Sequence, residues 1–205
     1  MKHISVVGYG SVGQKLAKLF NDAGRNVTVC SKDASRGAEH YPTATFIEGI
    51  QSADAIVLAI PYGAIQTLIE SLADELNGKT IIDCCNPLNE DWSPLLLGQE
   101  TSAAEQIAAL APQAKVVKAF NTIFADVMAR EHHDRKGHTI TAFISGDDKT
   151  SKHGVMSLAS DCGFSALDAG PLKSARYLEA MAHLNIEIAV AQGGGTNAAF
   201  VYHQA

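Results

Sequence analysis

The chain alternates short apolar runs with stretches in which apolar residues recur every three or four positions, and that alternation lays out its elements. Ile4, Val6 and Val7 make a β-branched run that breaks into Gly8-Tyr9-Gly10-Ser11-Val12-Gly13; residues 14–21 then set Leu16, Ala17 and Phe20 on one face at helical spacing. The helix stops near Gly24, and 26–31 (NVTVCS) predicts a second strand. A weak strand over 44–47 precedes 55–60 (AIVLAI), continuously apolar as a strand buried on both faces should be. Pro61 ends it, and Ile65, Leu68, Ile69, Leu72 and Leu76 form one helical stripe running up to Gly78. The next buried strand is 80–84 (TIIDC). Residues 89–100, with the only Trp and the turn formers Pro94 and Gly98, predict a loop over the ligand-binding side.

Ser102-x-x-Glu105 is a capping box that opens a helix to about Ala111. Strands follow over 116–120 and 139–145, with a short helix to Arg130 between them. Val155, Leu158 and Ala159 mark one more helix, 165–168 a final short strand, and Gly170-Pro171-Leu172 the entry to a long helix reaching about Gln192. Gly193 to Gly195 read as a flexible turn. Strands alternating with helices predict an α/β chain: a Rossmann-type doubly wound, mostly parallel sheet with helices on both faces and one long C-terminal helix. The expected organisation is one domain over 1–205, its doubly wound core over 1–170, with 171–205 as a packing or dimerisation appendage. That last helix carries Tyr177, Leu178, Met181, Leu184, Ile186, Ile188 and Val190, more than one apolar stripe, which predicts a homodimer.

At 205 residues and 46% hydrophobic content the chain can bury a substantial core. A net charge of −6 gives no footprint for nucleic acid or an anionic membrane, and no apolar run approaches the ~20 residues of a membrane span, so a cytoplasmic protein is expected. Cys30, Cys84, Cys85 and Cys162 show no C-x-x-C spacing and are expected as reduced thiols. His132, His133 and His138 in EHHDRKGH lack the i, i+4 spacing of a helical metal site; a solvated loop is expected there, and no metal.

The glycine run supplies the candidate chemistry. In G-x-G-x-x-G between a strand and a helix, Gly8 allows the tight turn, Gly10 lets a pyrophosphate approach bare backbone, and Gly13 lets the helix pack close to the strand. The second strand then selects the dinucleotide. NAD sites place an acidic residue about 20 residues beyond the glycines, to accept from the ribose 2′-OH. Here that place holds Ser31 and Lys32, with Arg36 one turn on if Asp33 starts a helix; a hydroxyl and two cations suit the 2′-phosphate of NADP(H), with Asp33 turned away as a cap.

Taken together, Gly8-x-Gly10-x-x-Gly13, Ser31-Lys32, Ala59-Ile60-Pro61-Tyr62, Asp83-x-x-Asn86-Pro87-Leu88, Lys118-Ala119-Phe120-Asn121-Thr122, Gly146-Asp147-Asp148 and Asp168-Ala169-Gly170-Pro171-Leu172 span nearly the whole chain. In this ordered set the chain resembles the family of NADP oxidoreductases dependent on the deazaflavin coenzyme F420. The resemblance implies hydride exchange between the nicotinamide C4 and a deazaflavin C5, with the rings stacked in a shallow cleft. Its implied cofactor-binding positions are the glycine turn with Tyr9, Ser11 and Val12, then Ser31 and Lys32, the loop Ile60-Pro61-Tyr62, and Asn86. Members often carry Thr-Gly where this chain has Tyr9-Gly10, and Arg where it has Lys32. The nucleotide domain of membrane ferric reductases is similar too, with a flavin as acceptor, so the small-molecule redox acceptor is a deazaflavin or a flavin. Hydride transfer between two preformed rings needs proximity and a dry site rather than an acid or base, and no catalytic side chain is assigned. Two other functions fit the same residues: a non-catalytic NADP(H) sensor, and a dehydrogenase of a small carbonyl substrate, a class that usually adds a larger helical domain.

Overall fold

The computed structural model describes residues 1–33 and 35–204 of the chain. Its elements run β1 His3–Val7, α1 Ser11–Asp22, β2 Asn26–Cys30, β3 Thr43–Ala44, α2 Phe46–Ser52, β4 Ala55–Leu58, α3 Ile65–Ser71, β5 Thr80–Asp83, α4 Ala103–Leu110, β6 Lys115–Lys118, β7 Asp134–Arg135, β8 His138–Thr139, β9 Thr141–Gly146, α5 Lys149–Asp161, β10 Ser165–Asp168 and α6 Ala175–Ile186. Eight strands form one sheet in the order β10-β9-β6-β5-β4-β1-β2-β3, parallel throughout except where β9 runs antiparallel to β6. This is the Rossmann-type doubly wound sheet that the sequence pattern predicts.

The strands are continuously apolar because both faces are covered. Alternate side chains go to opposite cores: Ile4, Val6, Ala55, Val57, Ile82 and Val117 to one, Val7, Ile56, Leu58, Ile81 and Val116 to the other. The first core is closed by α1 and α5, through Leu16, Phe20, Val155 and Leu158; Phe20 meets Phe120 edge to face at 5.7 Å. The second is closed by α3, α4 and α6, through Ile65, Ile69, Ile107 and Ala175. Each fully buried Leu, Ile or Phe contributes roughly 1.5–3 kcal/mol relative to exposure.

Several expected elements differ. The weak strand over 44–47 is only Thr43–Ala44, and α2 begins at Phe46. A capping box drives that helix: Thr45 Oγ1 accepts from the Glu48 N–H, and Glu48 Oε2 accepts from the Thr45 N–H at 3.1 Å. No helix starts at Asp33 among the described residues; its carboxylate instead accepts from the Ser35 N–H (3.0 Å) and hydroxyl (2.6 Å), closing a tight turn. The stripe up to Leu76 is helical only to Ser71, and the short helix expected to reach Arg130 is instead the 3-10 turn Ala125–Val127, with a second turn, Arg130–His132, after it. The strand expected over 139–145 is divided: β8 pairs with β7 as a hairpin, and β9 joins the sheet.

The hairpin corrects the expected solvated loop. His133 is buried, its ring stacked on Phe164 at 3.9 Å with Nε2 3.0 Å from the Met128 carbonyl oxygen. The glycines after α6 are not a loose turn either. Gly194 and Gly195 donate to the Ile188 and Ala189 carbonyls, which closes the five-residue π-turn Glu187–Ala191 that follows α6.

Candidate functional site

Around β1 and β4 the chain order splits: β1 leads outward to β2 and β3, whereas β4, β5 and β6 run the other way. A crevice opens at the carboxyl ends of parallel strands at such a switch point, the usual place for a ligand in this architecture. The glycine turn forms one side of it. Gly8 has φ +98°, and a Cβ there would lie 2.4 Å from the Ala59 carbonyl oxygen, so β1 and β4 approach too closely for any side chain. A Cβ at Gly13 would lie 2.1 Å from the Gly8 carbonyl oxygen, which holds α1 tight against the turn.

Gly10 is different. Nothing lies within 4 Å of a Cβ placed there, and it is the N-cap of α1 without any side-chain cap and without an acidic residue in the first turn. The positive end of a 12-residue helix thus faces the crevice behind bare backbone. Ser11 and Val12 begin that helix. The Tyr9 ring turns aside, meeting Tyr41 edge to face at 6.3 Å and lying against Gly37, so its bulk fills the gap beside β2.

Ser31 follows β2, and its hydroxyl donates to the Asp33 carbonyl. Lys32 and Arg36 are exposed, and neither makes an ion pair among the described residues. The Ser35 hydroxyl and N–H hold the Asp33 carboxyl below its ordinary range, and its oxygen is occupied within the turn.

After β4, Ile60 is half-buried against Gly8, its Cγ2 2.8 Å from a Cβ placed on that glycine, and Pro61 is exposed; the half-buried Tyr62 donates its hydroxyl to Gln106 Oε1 on α4 at 2.6 Å. Tyr62, Ile65, Gln106 and Leu110 line a cavity of about 460 Å³ between α3 and α4. Asn86 is bound inward: its Nδ2 donates to the Asn121 carbonyl at 2.8 Å and its Oδ1 accepts from Asn121 Nδ2 at 2.9 Å. Asn121 also donates to the Leu178 carbonyl, so the amide pair ties the ends of β5 and β6 to α6.

Beneath the crevice lies a group of which Asp83 and Lys118 stand among the resemblance motifs, without a role read from the sequence. Lys118 is fully buried; its Nζ donates to Asp83 Oδ2 (2.9 Å), to Glu179 Oε1 (2.7 Å) and to the Cys85 carbonyl. All three ammonium protons are satisfied. Burial pulls the Lys118 pKa down, but the charges of Asp83 and Glu179 more than reverse this and leave it raised. Glu179 in turn caps α4, accepting from the Ala103 N–H at 3.0 Å. The signal for the cluster was a lysine and an aspartate ending otherwise apolar strand runs, KVVK and TIID. Next to Lys118, Phe120 is buried at φ +63°, a left-handed conformation that costs a non-glycine residue roughly 1–3 kcal/mol.

The four cysteines are free, as the sequence leads one to expect, and the fold buries all four. Burial pushes Cys30 up to about 11 and Cys162 up to about 12, so neither is a thiolate at neutral pH. Among the described residues no helix is long and apolar enough to cross a membrane.

With this geometry in view, comparison with known proteins is informative. Residues 3–87 match the sequence model of the family described as NADP oxidoreductase, coenzyme F420-dependent. The chain is 33% identical over 181 residues to the metalloreductase STEAP3 of Rattus norvegicus, covering 87% of this chain and 36% of that protein. It is 28% identical to the F420-dependent NADP reductase of Methanocaldococcus jannaschii, over 68% of this chain and 63% of that one. The chain therefore spans about a third of the first relative's length and under two thirds of the second's. A crystal structure from Arthrobacter sp. FB24, provisionally described as an F420-dependent NADP reductase, superposes with a TM-score of 0.87 at 28% identity, covering 98% of this chain and 99% of that one.

Proposed function

We propose, from the family that residues 3–87 match, the NADP oxidoreductases dependent on coenzyme F420, that this chain is an NADPH-dependent reductase which passes hydride to a deazaflavin or flavin-type acceptor. The observation that carries the reading is the uncapped N-terminus of α1 behind Gly10, where no atom obstructs a pyrophosphate, flanked by two glycines at which any side chain would collide with backbone. The donor set fits the group. The Ser11, Val12 and Gly13 N–H groups would hold the phosphates; Lys32 and Arg36, the latter on a turn rather than the expected helix, would supply two cations for a 2′-phosphate, and the Ser31 hydroxyl could join them only by turning from the Asp33 carbonyl, with Asp33 held in its own turn. Lys32 acts as a point charge rather than a two-pronged clamp.

Bound NADPH supplies a hydride at the nicotinamide ring. The chain's residues bind, orient and exclude water. Ile60, Pro61 and Tyr62 wall the crevice beside the glycine turn, and the Gln106 hydrogen bond fixes the Tyr62 ring. Asn86 acts through Asn121 to hold the floor. No side chain needs to move a proton for ring-to-ring hydride transfer.

The chain works as a single nucleotide-binding unit in the cytoplasm, with α6 closing a homodimer. Tyr177, Leu184 and Ile188 share one face of the last helix and its extension at 70%, 54% and 48% exposure, an apolar stripe that a second copy would cover. Stopped-flow oxidation of NADPH and NADH with deazaflavin, free flavin and ferric chelates tests the function. Turnover of NADPH with a ring acceptor is expected, and binding without turnover with any acceptor would make the chain a nucleotide sensor instead.

A further inference from the structure

The cluster beneath the crevice is not electrically neutral. Asp83 and Lys118 face each other in register at the ends of β5 and β6, and Glu179 arrives from α6, giving two carboxylates and one ammonium. The Cys84 and Cys85 thiols beside them are pushed up by burial and by Asp83, and so stay uncharged. The nearby Arg176–Glu105 pair cancels within itself. One net negative charge remains, offset in part by the N-terminus of α4, which Glu179 caps and which carries about half a positive charge.

That charge lies under the half of the crevice which takes the second nucleotide of a dinucleotide in a doubly wound sheet. It is also joined to the crevice wall. The Cys85 N–H donates to Asp83 Oδ1 at 2.9 Å, its carbonyl accepts from Lys118, and its thiol donates to the Ile60 carbonyl at 3.1 Å. A buried, fully hydrogen-bonded charge in low-dielectric surroundings acts over longer distances than a surface one.

We infer that the net negative charge of Asp83, Lys118 and Glu179 sets the redox bias of the nicotinamide half-site, favouring the cationic oxidised ring over the neutral reduced ring and so strengthening hydride donation. The inference rests on the reading that this crevice holds NADP(H). Donation moves one hydride, a proton with two electrons, from the nicotinamide to the acceptor ring and leaves one positive charge behind; the acceptor takes its balancing proton from water. The three residues touch neither ring and act as positioning residues through their field.

The test is the ratio of NADP⁺ to NADPH affinities, measured by calorimetry on the native chain, Glu179→Gln, Asp83→Asn and Lys118→Arg. Removing one negative charge should weaken NADP⁺ relative to NADPH by about tenfold if the ring binds within roughly 12 Å of the cluster, the effect of a unit charge at that range and an effective dielectric constant of about 20. For this two-electron couple the bound potential rises by about 30 mV. Lys118→Arg keeps the charge and should leave the ratio within about twofold of native, by the same reasoning. Should Glu179→Gln fail to fold, Asp83→Asn makes the same charge change from the end of β5. A folded charge-removing variant with an unchanged ratio, or one that loses both nucleotides equally, overturns the inference and leaves the cluster a purely structural tie. A native chain that binds neither nucleotide instead overturns the cofactor reading itself.

Discussion

Replacing the glycines one at a time should separate folding from binding. At Gly13 a new Cβ meets the Gly8 carbonyl oxygen at 2.1 Å, whereas ordinary contact begins at 3.4 Å, so α1 must retreat from the turn by more than 1 Å. Such overpacking costs roughly 1–3 kcal/mol and more against backbone, while alanine's better helix propensity returns about 1 kcal/mol. A net loss of about 2 kcal/mol is expected for Gly13→Ala, a fall of about 4–8 °C in a chain of this size. Gly10→Val is the opposite case. Its backbone, φ −80° and ψ −168°, is extended and open to valine, and nothing lies within 4 Å of the new Cβ. Only a poorer N-cap is lost, under about 1 kcal/mol. The valine nonetheless stands where the pyrophosphate must approach the helix N-terminus, so NADPH binding should vanish. Thermal unfolding by circular dichroism and NADPH fluorescence, run on both variants, read the two effects separately. Undiminished NADPH binding by Gly10→Val, or a native melting temperature for Gly13→Ala, would refute the reasoning.

Lys118→Met strands two carboxylates in the core and should cost roughly 3–5 kcal/mol in urea denaturation. Native Lys118 has a raised pKa, so its contribution is complete below the unfolded value of 10.5 and is lost only as pH rises through the higher folded value; the stability gap between native chain and variant should therefore stay constant from neutral pH up to about 10. Leu184→Asp places a charge in the exposed stripe of α6 and should shift sedimentation from dimer to monomer without unfolding; a native chain that sediments as a monomer sinks the dimer.

Elements whose causes lie within a few residues of each other could be read from the chain. The glycine turn, the Ser102 cap, whose hydroxyl accepts from the Glu105 N–H at 3.2 Å, and the apolar strands all stand where their local patterns put them. Thr45 and Glu48 obey the same capping rule, and that signal could have found α2. What stayed hidden depends on distant partners. Lys118 meets Asp83 across 35 residues and Glu179 across 61, and no spacing in the sequence says that these charges meet one another inside. His133 looks like a surface residue among its charged neighbours, and only Phe164, reached by the fold, makes it an interior one. Asp33 was ambiguous for a different reason: an Asp with a Ser two residues on can open a helix or close a turn, and its own side chain suits both.

The hydrogen bonds of Glu179 also bear on how the chain reaches its final form. As the polypeptide grows from its N-terminus, β5, α4 and β6 are complete before Glu179 exists, so Lys118 first meets Asp83 alone and α4 begins with only Ser102 to cap it. The floor of the crevice can desolvate fully only when α6 docks, and that docking closes a loop of 61 residues from Lys118. A chain halted before α6 would keep an open, hydrated crevice beneath a finished glycine turn. Competence to shelter a ligand from water therefore comes late, with α6, long after the glycine turn proposed to hold the phosphates has formed.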